Sequence, residues 1–198
     1  MKKLASLLLA FCFVFIFTGC GEDENYPSVT PVPDENSRSE EELPVPAALK
    51  LGIGIVSDRK GSLSPEGNEP GRARTSTVVC AVAVDNEGII RKVKFDSVRS
   101  DIPFDTKGAF TEDMTLPLLS MREMGFDVGM AEASGTKNEW FQQMDIFENW
   151  MLGKKTSDIL NMELDENFVP TSPELTGKID IGVSDYLTAL NKAYTNAV

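Results

Sequence analysis

Apolar and polar positions alternate through the first half of this chain and recur at helical spacing through the second. In "KLGIGIVSD", residues 50–58, Leu51, Ile53 and Ile55 occupy every other position, the two-residue period of a strand. "TSTVVCAVAV" (75–84) and "IIRKVKFDSV" (89–98) are rich in β-branched residues, and they flank Asp85-Asn86-Glu87-Gly88, which supplies hairpin turn chemistry. "IPFDTKGAF" (102–110) repeats the pattern on a smaller scale, with a turn over 105–108. Four or five antiparallel strands are therefore predicted in this half. Beyond them the period changes. "TLPLLSMREMG" predicts a short helix from Pro117 to Gly125, where proline suits the first turn and glycine the end. Residues Asn138 to Leu152 predict the longest helix, in which Trp140, Met144, Phe147 and Met151 form one stripe. Gln142, Gln143, Asp145, Glu148 and Asn149 are left for its water-facing side. Thr156 or Ser157 starts another short turn, "KIDIGV" (178–183) has strand character, and Ser184 is placed to cap a last helix. On that helix Tyr186, Leu187, Leu190 and Tyr194 share a face. Strands gathered first and helices afterwards predict an α+β domain, one antiparallel sheet covered by helices from the C-terminal half.

The N-terminus follows neither rhythm. Lys2 and Lys3 precede an apolar run from Leu4 to Phe17 that ends in Thr18-Gly19-Cys20-Gly21. This is the layout of a secretory signal, and the run falls short of the roughly 20 residues that span a bilayer. Phe17-Thr18-Gly19-Cys20 resembles the lipobox of bacterial lipoproteins, although Phe17 stands where leucine is more usual. The resemblance implies cleavage after residue 19 and acylation of the Cys20 thiol. Residues 20–49 carry eight acids, one arginine and five prolines without apolar periodicity, a composition that predicts an extended, lipid-anchored tether. Residues 50–198 are long enough for one domain with a core. The expected address is the extracytoplasmic face of the cell membrane, reached through lipid on Cys20.

Charge narrows the partners. Loss of residues 1–19 takes two lysines and moves the formal net charge from −12 to −14. So acidic a chain does not attract nucleic acid or anionic lipid by its net field, which leaves a small molecule or a surface protein as the partner. The absence of histidine excludes histidine-dependent triads, histidine-ligated metal sites and imidazole acid–base catalysis. Cys80 is the one cysteine left besides the lipidated one, so no intrachain disulfide forms, and its apolar strand context predicts an inert thiol.

The remaining chemistry is sparse. Ser57-x-x-Lys60 and Ser134-x-x-Lys137 both match the serine–lysine spacing of acyl-enzymes, and that two hits occur in one chain shows how cheap the pattern is. Asp96 with Asp101 and Asp145 with Glu148 are carboxylate pairs without a fixed separation. No stretch matches an EF-hand loop, and no catalytic residue or metal site is assigned. The loop 59–74 is more informative. Arg59, Lys60, Arg72 and Arg74 are clustered there among Gly61, Gly67 and Gly71, as an anion site requires, with Ser76 and Thr77 adding hydroxyls. The plainer alternative is a surface loop whose arginines answer Glu66 and Glu69.

Two resemblances add expectations. The hairpin "DNEG", then "GMAEASGTKNEWFQQ", "FENWMLGK" and "KIDIGVSDYLTALNKA" resemble a group of small uncharacterised lipoproteins from Gram-positive, clostridia-like bacteria. That likeness implies a tethered extracellular domain and assigns no activity. The Asp85-x-x-Gly88-Ile89 turn and the Ser134-Gly135 that leads into the long helix more distantly resemble the FMN-binding domains of secreted electron-transfer proteins. Here Thr136 stands where that family has alanine, and Lys137 where it has the flavin-accepting threonine. The resemblance implies noncovalent FMN, with Ser134, Gly135 and Thr136 at the turn, Trp140 for stacking and Arg72 or Arg74 for the phosphate. The first expectation is thus a non-enzymatic binding or interaction domain, and the alternative an FMN-binding electron-transfer module.

Overall fold

Among the described residues three long strands, not four or five, form one antiparallel sheet in the order β1 (Lys50–Asp58), β2 (Gly71–Val84) and β3 (Ile90–Phe104). The computed structural model describes residues 48–198. The expected signal segment, Cys20 and positions 21–47 of the expected tether lie outside the described residues. Helices α1 (Met121–Met124), α2 (Trp140–Met151), α3 (Thr156–Leu160) and α4 (Ser184–Thr195) follow, with α4 packed on β1 and β2 and α2 along β3. The arrangement is α+β, one antiparallel sheet covered by helices of the C-terminal half.

The strand count is lower because β2 and β3 are longer than their apolar runs. Arg72 and Arg74 belong to β2, not to a loop, and Ile102 to Phe104 extend β3 opposite Gly71 to Ala73. Phe110 returns to Phe104 only as a single bridge. The hairpin turn matches expectation: Asp85 Oδ1 accepts from the backbone N–H groups of Glu87 and Ile89 at 2.9 and 3.0 Å. Gly88 takes the positive φ that this turn requires.

The core lies between one face of the sheet and the helices. Cys80, Val82, Val84, Val93 and Phe95 meet Met144, Phe147 and Met151 of α2 and Leu190 of α4, all buried. In β1 the alternation is correct, but the buried face is the glycine face. Leu51 and Ile53 are more than 60% exposed, whereas Gly52 and Gly54 lie against α4. A Cβ on Gly54 would sit 2.0 Å from the Ala189 carbonyl oxygen, and one on Gly52 would sit 1.9 Å from that of Ala193. Bare strand backbone and small helix residues bring the two elements this close, so Ala189 and Ala193 are buried while Tyr194 stays partly exposed.

The other helices also depart from expectation at their ends. α1 starts at Met121, not Pro117, because Ser120 and Glu123 form a reciprocal capping box that Pro117 cannot supply. Leu116, Leu118 and Leu119 before it are exposed. α2 begins at Trp140 after Glu139, whose backbone N–H donates to Gln142 Oε1 at 2.9 Å. The segment 178–183 is not a strand. Its apolar alternation places Ile179 and Val183 in the core, while its backbone bonds elsewhere, Asp180 N to Gln143 Oε1 and Val183 N to the Phe168 carbonyl, both at 2.9 Å.

Candidate functional site

The helices cover only part of the inner sheet face. Past Val78 on β2 and Phe95 on β3 that face turns polar, and a cleft of about 460 Å³ opens there. Its floor is strand: Asp58 from β1, Arg74 and Ser76 from β2, and Ser97 and Arg99 from β3. Its walls are Trp140 from α2, Asp185 and Tyr186 from the first turn of α4, and the apolar side chains of Met121, Met130 and Ile181. These residues share the cleft because a strand returns to the same face every second position, and because 181–182 leads directly into α4.

The aromatic wall is fixed from within. Trp140 Nε1 donates to the Tyr186 hydroxyl at 2.8 Å, and the ring centroids are 6.2 Å apart. Behind Trp140, the Arg122 guanidinium lies 5.7 Å from the ring centroid. Burial pushes the Tyr186 phenol up from its ordinary pKa against the opposing hydrogen bonds from Trp140 and Ser97, so the ring is neutral at physiological pH.

The charged floor is only partly self-neutralised. Arg74 grips Asp101 with two hydrogen bonds, Nε at 2.6 Å and Nη2 at 2.9 Å, and these hold the Asp101 carboxyl below the usual carboxylate range. Lys60 Nζ sits between Asp58 at 3.6 Å and Asp185 at 3.7 Å, with its side chain 76% exposed. Arg99 makes no ion pair with any described residue.

The residues singled out in the sequence therefore separate. Arg74 and Trp140 meet in the cleft. Arg72 donates to the Gly61 carbonyl at 3.2 and 3.0 Å and lies 3.8 Å from Asp101. Arg59 is exposed beyond the end of β1 and does not line the cleft. Glu66 and Glu69 are not the partners of these arginines: they bond each other through backbone, and Asp101 answers Arg72 and Arg74 in their place. Ser76 lines the cleft, whereas Thr77 points to the opposite face and bonds Ser57 at 2.8 Å.

Ser134, Gly135 and Thr136 form a different structure, closed by the chain itself. Asp180 Oδ2 accepts from Ser134 Oγ at 2.9 Å, Gly135 N at 2.6 Å and Thr136 N at 3.4 Å. Gln143 Nε2 holds Asp180 Oδ1 at 2.8 Å. Burial disfavours the charge on Asp180, but these donors outweigh it and keep the carboxyl below its ordinary range. The turn does cradle an anion, and the anion is an aspartate 44 to 46 positions away. Neither serine–lysine pair is assembled: Ser57 bonds Thr77, Ser134 bonds Asp180, and Lys137 Nζ reaches the Glu132 carbonyl.

Two polar residues expected on the wet side of α2 are in fact buried. Gln143 serves the Asp180 clasp, and Glu148 meets Arg122, Lys94 and the backbone of β3. Helical periodicity places both on the flank of the stripe, and nothing in their spacing marks them as buried. Tyr186 is expected on the packed face of the last helix, and nothing local marks it, Arg99, Asp58 or Asp185 as site residues, since only strand register and the turn into α4 unite them.

A second groove of about 630 Å³ lies on the outer sheet face over Leu51, Ile53 and Ala81, and its lining is mainly apolar, joined by Lys92, Lys94 and Asn196. The first cleft differs in combining aromatic walls with convergent polar groups, the usual character of a small-molecule site. Comparison with protein-family models, curated proteins and solved structures finds no match to this chain.

Proposed function

We propose that this protein is a lipid-anchored, extracytoplasmic binding protein whose domain takes a small polar molecule in the cleft between the sheet, α2 and α4. The observation that carries the binding role is the cleft, where Trp140 and Tyr186 face Arg99, Asp58 and Asp185. Arg99 is exposed at the mouth of this cleft, with no carboxylate paired to it among the described residues, so its guanidinium is open to a ligand. The anchor rests on the residue 2–20 pattern alone, in which Cys20 takes lipid and residues 20–49 act as the tether. No helix among the described residues is long and apolar enough to cross a membrane.

A flavin module is favoured less by this geometry. The Ser134–Thr136 turn already holds Asp180, and Trp140 is 97% buried with its indole N–H engaged, so no open indole face is offered for ring stacking. The binding role is tested by thermal melting of the protein against a panel of amino acids, dipeptides, organic acids and FMN. A cleft-binding member raises the melting temperature of the native chain and has no effect on Ser76→Trp, which fills the cleft. A panel without effect on the native chain refutes the role. The anchor is tested separately, since Cys20→Ala moves the protein from the membrane fraction to the soluble one, and retention in the membrane defeats it.

A further inference from the structure

The strand register gives the cleft a polarity. Asp58 on β1 pairs with Ser76 on β2, and Ser76 pairs with Arg99 on β3. Carboxylate, hydroxyl and guanidinium therefore form one row across the inner face, two strand spacings or about 10 Å from end to end. Asp185 joins the row at its acidic end, where the Lys60 ammonium lies between the two carboxylates at 3.6 and 3.7 Å. Those separations exceed a hydrogen bond, and Lys60 is largely in solvent, so it marks where an ammonium belongs without filling the place tightly. At the other end Arg99 has no carboxylate of its own, because Asp101 is taken by Arg74.

Resting on the binding role argued above, we propose that the cleft takes a zwitterion of amino-acid to dipeptide size. Its ammonium lies between Asp58 and Asp185, its carboxylate on Arg99, and an apolar side chain rests against Tyr186, Met121 and Met130, which stay partly open where Trp140 does not. Length agrees with this class. Two extended residues span about 7 Å, the same scale as the backbone row of about 10 Å, and the long Arg99 side chain can reach in to meet the carboxylate. Ser76 lies beneath the middle of the ligand, where a peptide N–H or C=O requires a partner. Charge agrees as well. Asp58, Asp101 and Asp185 balance Lys60, Arg74 and Arg99, so the cleft selects a molecule with both charges and no net charge.

The test is calorimetric titration of the full mature chain with L-alanyl-L-phenylalanine, its N-acetyl derivative and its C-terminal amide, alongside benzoate and FMN. The free dipeptide binds, and blocking either end weakens binding by about tenfold, the loss of one charge-assisted pair. In Arg99→Gln the native chain's discrimination against the amide disappears, while Arg99→Lys retains it. In Asp185→Asn the discrimination against the acetylated peptide falls. Melting of each unliganded variant at the native temperature shows that it is folded. Equal binding of the blocked and free peptides overturns the zwitterion. Binding of benzoate or FMN without the dipeptide, lost in Ser76→Trp, overturns the zwitterion and leaves the binding role standing. Absence of binding by all five compounds overturns the zwitterion, and the binding role falls with it only if the wider melting panel is also without effect.

Discussion

Glu148 Oε1 accepts the backbone N–H of Phe95 at 2.7 Å, across 53 residues of sequence. The Phe95 carbonyl is taken from the same side by Arg122 Nε at 2.6 Å, and Arg122 Nη2 bonds Glu148 at 2.5 Å. An ion pair thus occupies the edge of β3 where a fourth strand would lie. It satisfies both backbone groups of a buried residue and keeps the edge from pairing with another chain. Lys94 and Asp145 complete the network at 2.7 and 2.9 Å.

Because Glu148 is 4% exposed, its loss leaves the Phe95 N–H without an acceptor and takes from Arg122 the more buried of its two carboxylates, Asp145 remaining. Glu148→Ala is expected to destabilise the domain by about 3–5 kcal/mol, the cost of breaking a buried pair from one side. Urea denaturation checks this, and a change below about 1 kcal/mol would show that water replaces the carboxylate. The double change Arg122→Leu with Glu148→Leu should recover part of the loss, since it removes both charges together.

Gly54 makes a different kind of contact, one that admits no side chain. A methyl group there meets the Ala189 carbonyl oxygen at 2.0 Å, so α4 must move away from β1. Gly54→Ala is expected to cost about 2–3 kcal/mol, in the upper range for overpacking, even though alanine suits a strand better than glycine. Gly108, with open space around it, serves as the control: the clash is absent there, and only its positive φ penalises alanine.

These two contacts are of a kind that local sequence pattern does not encode. The stripe Trp140, Met144, Phe147 and Met151 was legible as core because helical period alone selects it, and all four residues are buried. The buried face of β1 was not, because hydrophobicity nominates Leu51 and Ile53, whereas α4 chooses the glycines for their lack of a side chain. Glu148 and Gln143 depart from the helical pattern for a related reason. A polar residue on the flank of a helix is buried only when a distant partner exists, here Arg122 or Asp180, and partnership across 26 to 37 positions leaves no local mark. The cleft is legible only in part. Arg74 and Trp140 stand out by composition, but Arg99 joins them through the β2–β3 register.

The Asp180 clasp predicts an acid-sensitive fold. Its carboxyl is held below the ordinary value of about 3.9, so its stabilising contribution is complete above that value and is lost as pH falls through the lower folded one. Asp145 acts in the same direction: burial opposes its charge, but Lys94 and Arg122 outweigh that effect. The melting temperature should be level from pH 7 to about pH 5 and fall below about pH 4. In Asp180→Asn it should be lower at pH 7 and approach the native value near pH 2. A constant difference between the two proteins across this range would show that Asp180 does not titrate as described.

Cys80 supplies the last test, of the core itself. It is fully buried opposite Phe95, and burial, with Glu148 nearby, pushes its thiol up to about 12. Only the thiolate is nucleophilic, so at pH 8 the folded protein should leave a thiol-reactive chromophore unchanged over hours. In denaturant the pKa returns to about 8.5, and if Cys20 carries the proposed lipid the membrane-extracted protein reacts with one equivalent. A rate that rises in proportion to the unfolded fraction as urea is added ties the reaction to global opening. Fast reaction in the native state would mean that the sheet and α2 separate locally, and the packing of Met144 and Phe147 over Cys80 would need revision.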